Sequence, residues 1–310
     1  MTEIWALCGL TLASISVMSN DAVQTLGTFI ASNKKTPWWK LWGAASLVLV
    51  STILYSWFVY DGDISFGRLE KIPPVPIEWY HALAPGVLLL LTRIGIPVST
   101  TFLVLSAFAS TVVFEKMLMK SILGYVTAAV VAYTFWIVLS KFLDEKRKVN
   151  PDHETRWRVA QWCTTGFLWF TWLSHDLANI AVFAPRQMSL EYLLGSIVLL
   201  VATLGYVFYH RGGKIQQIVI EKSSTSYVRS ATIIDAVYAF ILLYLKQMNN
   251  VPMSTTWVFV GLLCGRELAI ATTKDRKIKK VFPLVTKDFM KMMLGLCVSV
   301  VIVLLVQSIS

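Results

Sequence analysis

Ser19-Asn20-Asp21 and Ser174-His175-Asp176 each interrupt a long apolar stretch, and the two motifs lie 155 residues apart. A second pair keeps the same offset: Gly95-Ile96-Pro97-Val98-Ser99-Thr100-Thr101 returns as Asn250-Val251-Pro252-Met253-Ser254-Thr255-Thr256. The offset is half of the 310-residue length, so the chain reads as a duplication, 1–148 followed by 149–310. Each half carries one acidic motif and one Pro-x-Ser-Thr-Thr turn. Polar groups at corresponding positions of two apolar repeats are the strongest sequence pointer to the binding site of a membrane transporter.

Composition sets the class. The chain is 56% hydrophobic and only 15% charged, with a mean hydropathy of +0.62, which excludes an ordinary soluble domain and fits an all-α polytopic membrane protein. Stretches near the ~20 residues that cross a bilayer run at about 41–60, 118–142, 190–209 and 289–309. Those at about 4–30 and 159–185 are long enough but interrupted by the acidic motifs, and 79–114 and 228–271 are broken at a turn. Glu3 stands where a secretory signal carries basic residues, so no such signal is expected. Cys8, Cys163, Cys264 and Cys297 lie in apolar segments without metal or redox spacing and read as small hydrophobes of helix interfaces. Trp38-Trp39 and the Trp169, Phe170, Trp172 cluster read as interfacial belt and packing.

The net charge of +10 points to the membrane rather than to nucleic acid, because of how it is distributed. With three crossings and one returning hairpin per half, 20 of the 28 Lys and Arg residues fall in loops on one side, 5 on the other, and Arg93, Lys246 and Arg266 inside the hairpins. That bias places the basic loops in the cytoplasm of a plasma (inner) membrane protein and both termini outside. The run Lys274 to Lys280 fits an anchor to anionic lipid. An odd number of crossings per half inverts the second repeat relative to the first. The hairpin arms on either side of Pro97 are roughly 16 residues, about 24 Å at 1.5 Å per residue, short of the ~30 Å hydrocarbon core, so the hairpins 79–114 and 228–271 are expected to be re-entrant.

Each motif has its own chemistry. An Asn-Asp pair inside a span is costly unless a partner or water meets the carboxylate, and Asn and Asp favour helix starts over interiors. Helix 1 is therefore expected to break near 19–21 and helix 4 near 174–176, with Asn20, Asp21, Asp176 and Asn179 and the freed carbonyls of residues 16–19 holding cations. Gly95 and Pro97 end the first hairpin arm. Ser99, Thr100 and Thr101, mirrored by Ser254, Thr255 and Thr256, then open a helix whose N–H groups, hydroxyls and dipole suit an oxyanion. The alternative for one acidic motif alone is a structural pair with Arg93 or Lys246, and for one Ser-Thr-Thr an ordinary helix start. Recurrence of both motifs in register argues against coincidence.

These residues resemble the inorganic phosphate transporter family of cation-coupled symporters. Its hallmarks are a repeated Gly-Ala-Asn-Asp-Val-Ala-Asn signature in a broken helix of each half and a Pro-Val-Ser-Thr-Thr turn at the tip of a re-entrant hairpin. The chain matches at Asn20-Asp21, at Asp176, Ala178 and Asn179, at Pro97-Val98-Ser99-Thr100-Thr101, and at Pro252 with Ser254-Thr255-Thr256. The resemblance implies an inverted-repeat fold, uptake of inorganic phosphate driven by Na+ or H+, no further cofactor, and a homodimer. The chain departs from the pattern at Ser19 and Ser174, at Gln24-Thr25, and at His175 in place of Asn, and it lacks a large central cytoplasmic loop.

Electrostatics leads to the same coupling. Phosphate beside Asp21 and Asp176 meets like charges that repel by several kcal/mol per pair even at an effective dielectric of ~20, so the anion binds well only when Na+ or protons occupy the carboxylates. His175 is open to two readings, a proton-coupling group or a neutral hydrogen-bond partner. A sulfate symporter on the same fold is the nearest alternative. An intramembrane enzyme using His175 and Asp176 or His81 lacks the HExxH or GxSxG context. A channel needs a continuous polar lining, which these concentrated motifs do not make. The chain is thus expected to be a transporter rather than an enzyme.

Overall fold

The computed structural model describes residues 2–93, 98–142, 151–213, 228–273 and 278–309. Gly95 and Pro97, and the basic loops expected at 143–150, 214–227 and 274–277, lie outside the described residues. Within them the chain is helical, with no strand. In chain order the helices are α1 (Thr2–Ser32), α2 (Trp38–Val59), α3 (Trp79–Arg93), a π-helical turn (Thr101–Leu105), α4 (Thr111–Phe142), α5 (Pro151–Asp176), α6 (Ala178–Ala181), α7 (Leu190–Tyr209), α8 (Val228–Met248), α9 (Thr255–Thr273) and α10 (Ile278–Ile309).

Five segments among the described residues are long and apolar enough to cross a membrane: Glu3–Ser32, Trp38–Val59, Thr111–Leu139, Leu190–Tyr209 and Val228–Met248. They differ in burial. The outward faces of α2, α4 and α7 leave Leu47, Phe58, Val130, Leu194 and Val198 exposed, a surface suited to lipid rather than water. α1 and α8 are the most buried of the five, and α1 is in contact with α3, α5, α6, α7 and α8.

α4 and α9 approach each other closely. Gly261 and Gly265 of α9 sit four apart on one face, and a Cβ on either would meet the Tyr125 carbonyl oxygen at 2.3 Å or the Ala129 carbonyl oxygen at 2.1 Å. This is a small-xxx-small interface, which lets two helix backbones touch where burial from water supplies no driving force.

α2 and α7 end in the same way. Gly62 N–H donates to the Trp57 carbonyl and Gly212 N–H to the Val207 carbonyl, at 2.8 and 2.9 Å, each glycine at positive φ after a left-handed residue, Asp61 or Arg211. Glycine fits this helix end because it carries no Cβ to clash there.

Three elements differ from expectation. α1 runs without interruption through Asn20 and Asp21, so the carbonyls of residues 16–19 stay within the helix; the two polar side chains find tertiary partners, which removes the reason for the backbone to break. The interruption in the second half is a single residue, Leu177, between α5 and α6, and no side chain caps α6. The second arm of the first hairpin is only the π-helical turn, with α4 starting at Thr111, whereas its counterpart α9 is a 19-residue helix. The first arm of the second hairpin, α8, has 21 residues, about 32 Å at 1.5 Å per residue and long enough to cross the core.

Candidate functional site

The acidic motifs and the hairpin tips meet in the interior. Asp21 and Asp176 are fully buried, as are Asn20 and Asn179. The Asn20 amide donates to Asp21 Oδ1 and to the Val98 carbonyl, both at 2.8 Å. Thr100 donates from its hydroxyl to Asp21 Oδ2. The Asn179 amide donates to Thr100 Oγ1 at 3.0 Å and to Asp176 Oδ1 at 2.8 Å. One unbroken chain of hydrogen bonds therefore links the two carboxylates through Asn179 and Thr100, tying α1, the first hairpin tip and α6 together.

The two tips also touch directly. Thr101 donates its hydroxyl to the Met253 carbonyl at 3.0 Å, Thr256 approaches Asp21, and Thr255 approaches Asp176. Ser99 Oγ accepts from Phe102 N–H and Ser254 Oγ from Trp257 N–H, both at 3.2 Å. The duplicated serines thus make the same helix-opening bond 155 residues apart. A second match pairs Gln24, which reaches Asp21 Oδ1 at 3.4 Å, with Asn179 on Asp176: both are amides three residues beyond their acid.

The network leaves acceptors over. Asn20 Oδ1, Asn179 Oδ1 and Asp176 Oδ2 are buried without a hydrogen-bond donor. The amide orientations follow from their partners, since each NH2 lies against acceptors only. Buried oxygens that lack donors are a strong demand for a cation, and an all-oxygen set of amide and carboxylate groups suits a hard one.

His175 stands apart from this network. Its Nε2 meets the Leu242 carbonyl at 2.9 Å; a carbonyl can only accept, so Nε2 carries the proton. Its Nδ1 is buried without a partner. His81 stacks on Phe108 at 4.6 Å between ring centroids and accepts from Glu78 N–H through Nδ1, a packing role. Trp169 and Trp172 stack at 5.0 Å, and the Trp169 indole donates to the Ala45 carbonyl. Lys246 lies over Phe66 rather than on a carboxylate, and Arg93 lines a cavity. That cavity, about 790 Å³, lies between α1, α3 and α7 and runs from His210 and Gly212 to Ser19, next to Asn20.

Two groups were not singled out among the site residues by the motif reading. Asp235 of α8 is fully buried and accepts from Thr28 of α1 at 2.6 Å and from Thr165 of α5; as an acid inside an apolar segment it carried a readable signal. Arg68, counted only as a loop charge, is 1% exposed and donates through Nε to the Ser174 carbonyl at 2.8 Å. Burial pushes its guanidinium down to about 10, with Asp176 acting in the opposite direction.

A solved structure described as the sodium-dependent phosphate transporter superposes on the chain with a TM-score of 0.67 at 17% sequence identity, covering 100% of both chains. The two share one fold. No family model and no curated protein matches the sequence.

Proposed function

We propose that the protein is a secondary active transporter that couples inorganic phosphate to Na+ by alternating access. The observation that carries this reading is the hydrogen-bond chain from Asp21 to Asp176 through Thr100 and Asn179, with three buried oxygens left over beside it. It is supported by a shared fold with a protein described as the sodium-dependent phosphate transporter.

In this reading Na+ is cargo. Asn20, Asp21, Asp176 and Asn179 supply its oxygens, and the cation draws the carboxylates away from the threonine hydroxyls. Thr100, Thr101, Thr255 and Thr256, with Ser99 and Ser254, are then released to donate to the phosphate oxygens. In the structure the Thr100 hydroxyl is committed to Asp21 and the Thr101 hydroxyl to the Met253 carbonyl, with Thr256 and Thr255 beside the two carboxylates, which fits a site that does not accept the anion before the cation. The cavity reaching Ser19 is the path to the side of the basic loops, expected to be cytoplasmic. Operation as a homodimer with outward termini in a plasma (inner) membrane belongs to the same proposal.

The test is uptake of labelled phosphate into proteoliposomes with and without an inward Na+ gradient, for wild type and Asp21→Asn, with sulfate and arsenate as competitors. Uptake in wild type is expected to need the gradient, to be inhibited by arsenate more than by sulfate, and to fall at least about tenfold in Asp21→Asn, the scale of a lost charge-assisted contact of 1.4 kcal/mol or more. Equal, Na+-independent uptake by both proteins would sink the reading.

A further inference from the structure

Beside the carboxylate network, three cations converge where the loop 60–78 meets the α5–α6 junction and the tip of the second hairpin. Beyond the α2 cap the loop bends again at Phe66, which holds a positive φ of 59° next to Gly67 at 72°. The Asp63 carboxylate fixes the bend by accepting from the N–H groups of Ser65 and Gly67 at 2.6 and 2.9 Å. Non-glycine residues in that region persist only where their surroundings over-determine them, and they gather at functional sites. Here the bend drives Arg68 inward.

The donors of these cations can be accounted for one by one. Lys120 spends its ammonium on Asn249 O, Asn249 Oδ1 and Val251 O at 2.7, 2.8 and 2.9 Å, holding the tip in place. Arg68 uses Nε on Ser174 and Nη1 on the Val251 carbonyl at 3.3 Å, while Nη2 is buried with no partner. Lys246, half-buried, stands 4.1 Å from the Phe66 ring centroid. Arg68 lies close enough to repel both lysines, and among the described residues no carboxylate pairs directly with any of the three. Asp176 offsets part of the Arg68 charge without a direct contact, and the buried Nη2 donor that remains open beside two further cations calls for an anionic acceptor.

We propose that Arg68 Nη2 and Lys246 form an accessory subsite for a tetrahedral oxyanion, beside the Asp21–Asp176 network and leading to the Ser-Thr-Thr tips. The subsite rests on the transport reading above and extends it. A guanidinium edge matches a tetrahedral oxyanion, and the flexible ammonium adds a point charge. Asp176 is the carboxylate that acts on Arg68, and any Na+ taken up at Asp176 offsets that negative charge and leaves more positive charge at the subsite. Anion affinity at this subsite therefore rises with Na+ occupancy. Phosphate and sulfate both satisfy it, because it offers donors and charge but no acceptor.

Equilibrium binding of inorganic phosphate, and separately of sulfate, to the detergent-purified full chain at saturating Na+ tests this with Arg68→Gln and Lys246→Gln. Loss of one charge-assisted contact is expected to weaken phosphate at least about tenfold in Arg68→Gln and about threefold in Lys246→Gln, with phosphate-free Na+ binding retained in both and not weakened, since Arg68 repels a cation at Asp176. Wild-type affinity in Arg68→Gln overturns the subsite; if that variant does not fold, wild-type affinity in the half-buried Lys246→Gln does so. Should wild type bind phosphate and both variants match it, the subsite alone fails. Should wild type bind sulfate but not phosphate, the phosphate reading fails and the same variants, read with sulfate, decide the subsite. Should wild type bind neither anion, both fall.

Discussion

Asn179 does more than any other single side chain in the network. Its amide nitrogen bridges Asp176 Oδ1 and Thr100 Oγ1, and its carbonyl oxygen is one of the three buried acceptors without a donor. Asn179→Ala removes a bridge between the halves and takes the amide donor from Asp176 Oδ1, which costs about 1–3 kcal/mol. The expected outcome is a lower unfolding temperature in detergent, together with Na+ that no longer stabilises the protein. Retained Na+ stabilisation would remove Asn179 from the proposed cation site. The acidic and hydroxyl residues were legible one at a time, since each is a polar group in an apolar stretch. Their pairing was not: that Thr100 joins Asp21 to Asn179 is a matter of tertiary geometry. Gln24 was within reach of the sequence, because it stands 155 residues before Asn179. The imperfect copy of Asn20 at His175 has a physical consequence, as His175 turns to Leu242 of α8 while Asn20 bonds to the first tip.

Among the elements, the two halves share motifs but not shapes. α1 is continuous where α5 and α6 are separated at Leu177. Helix propensity alone argued for a break at both acidic motifs; in α1 the hydrogen bonds of Asn20 and Asp21 overrode it. The crossing helices α2 and α7 were legible from their apolar runs, and the tip of the second hairpin from Pro252. The π-helical turn at Thr101–Leu105 was not, because nothing in five apolar and hydroxyl residues distinguishes a π turn from an α one, and such turns gather at functional sites. The α4–α9 seam is a sharper case. Gly261 and Gly265 are visible as a spaced pair, yet only the structure shows that each faces a carbonyl oxygen. Gly265→Val forces the two helices apart and costs about 1–3 kcal/mol or more, expected as a lowered unfolding temperature, with Gly195→Val, whose Cβ position is open, as the neutral control. Equal stability of the two variants would contradict the packing.

For the whole molecule, the apolar composition and the 155-residue offset carried the helical membrane architecture, and the superposition on a phosphate transporter at a TM-score of 0.67 places that architecture in a known fold. The orientation proposed from the Lys and Arg bias has a direct consequence. With three crossings and a returning hairpin in each half, reporter tags at residues 1 and 310 are expected on the same, outer face in intact cells, and a membrane-impermeant reagent reaching only one of them would refute that topology. The central claim is that anion and cation occupy one coupled site. If Asp21 and Asp176 must hold cations before phosphate enters, the two affinities are linked by one reciprocal factor. The decisive measurement is equilibrium binding to the purified chain: labelled phosphate titrated across Na+ concentrations, and Na+ across phosphate concentrations. The account predicts that each ligand tightens the other by the same factor, about tenfold or more for a coupling of 1.4 kcal/mol. A phosphate affinity that is independent of Na+ would contradict it.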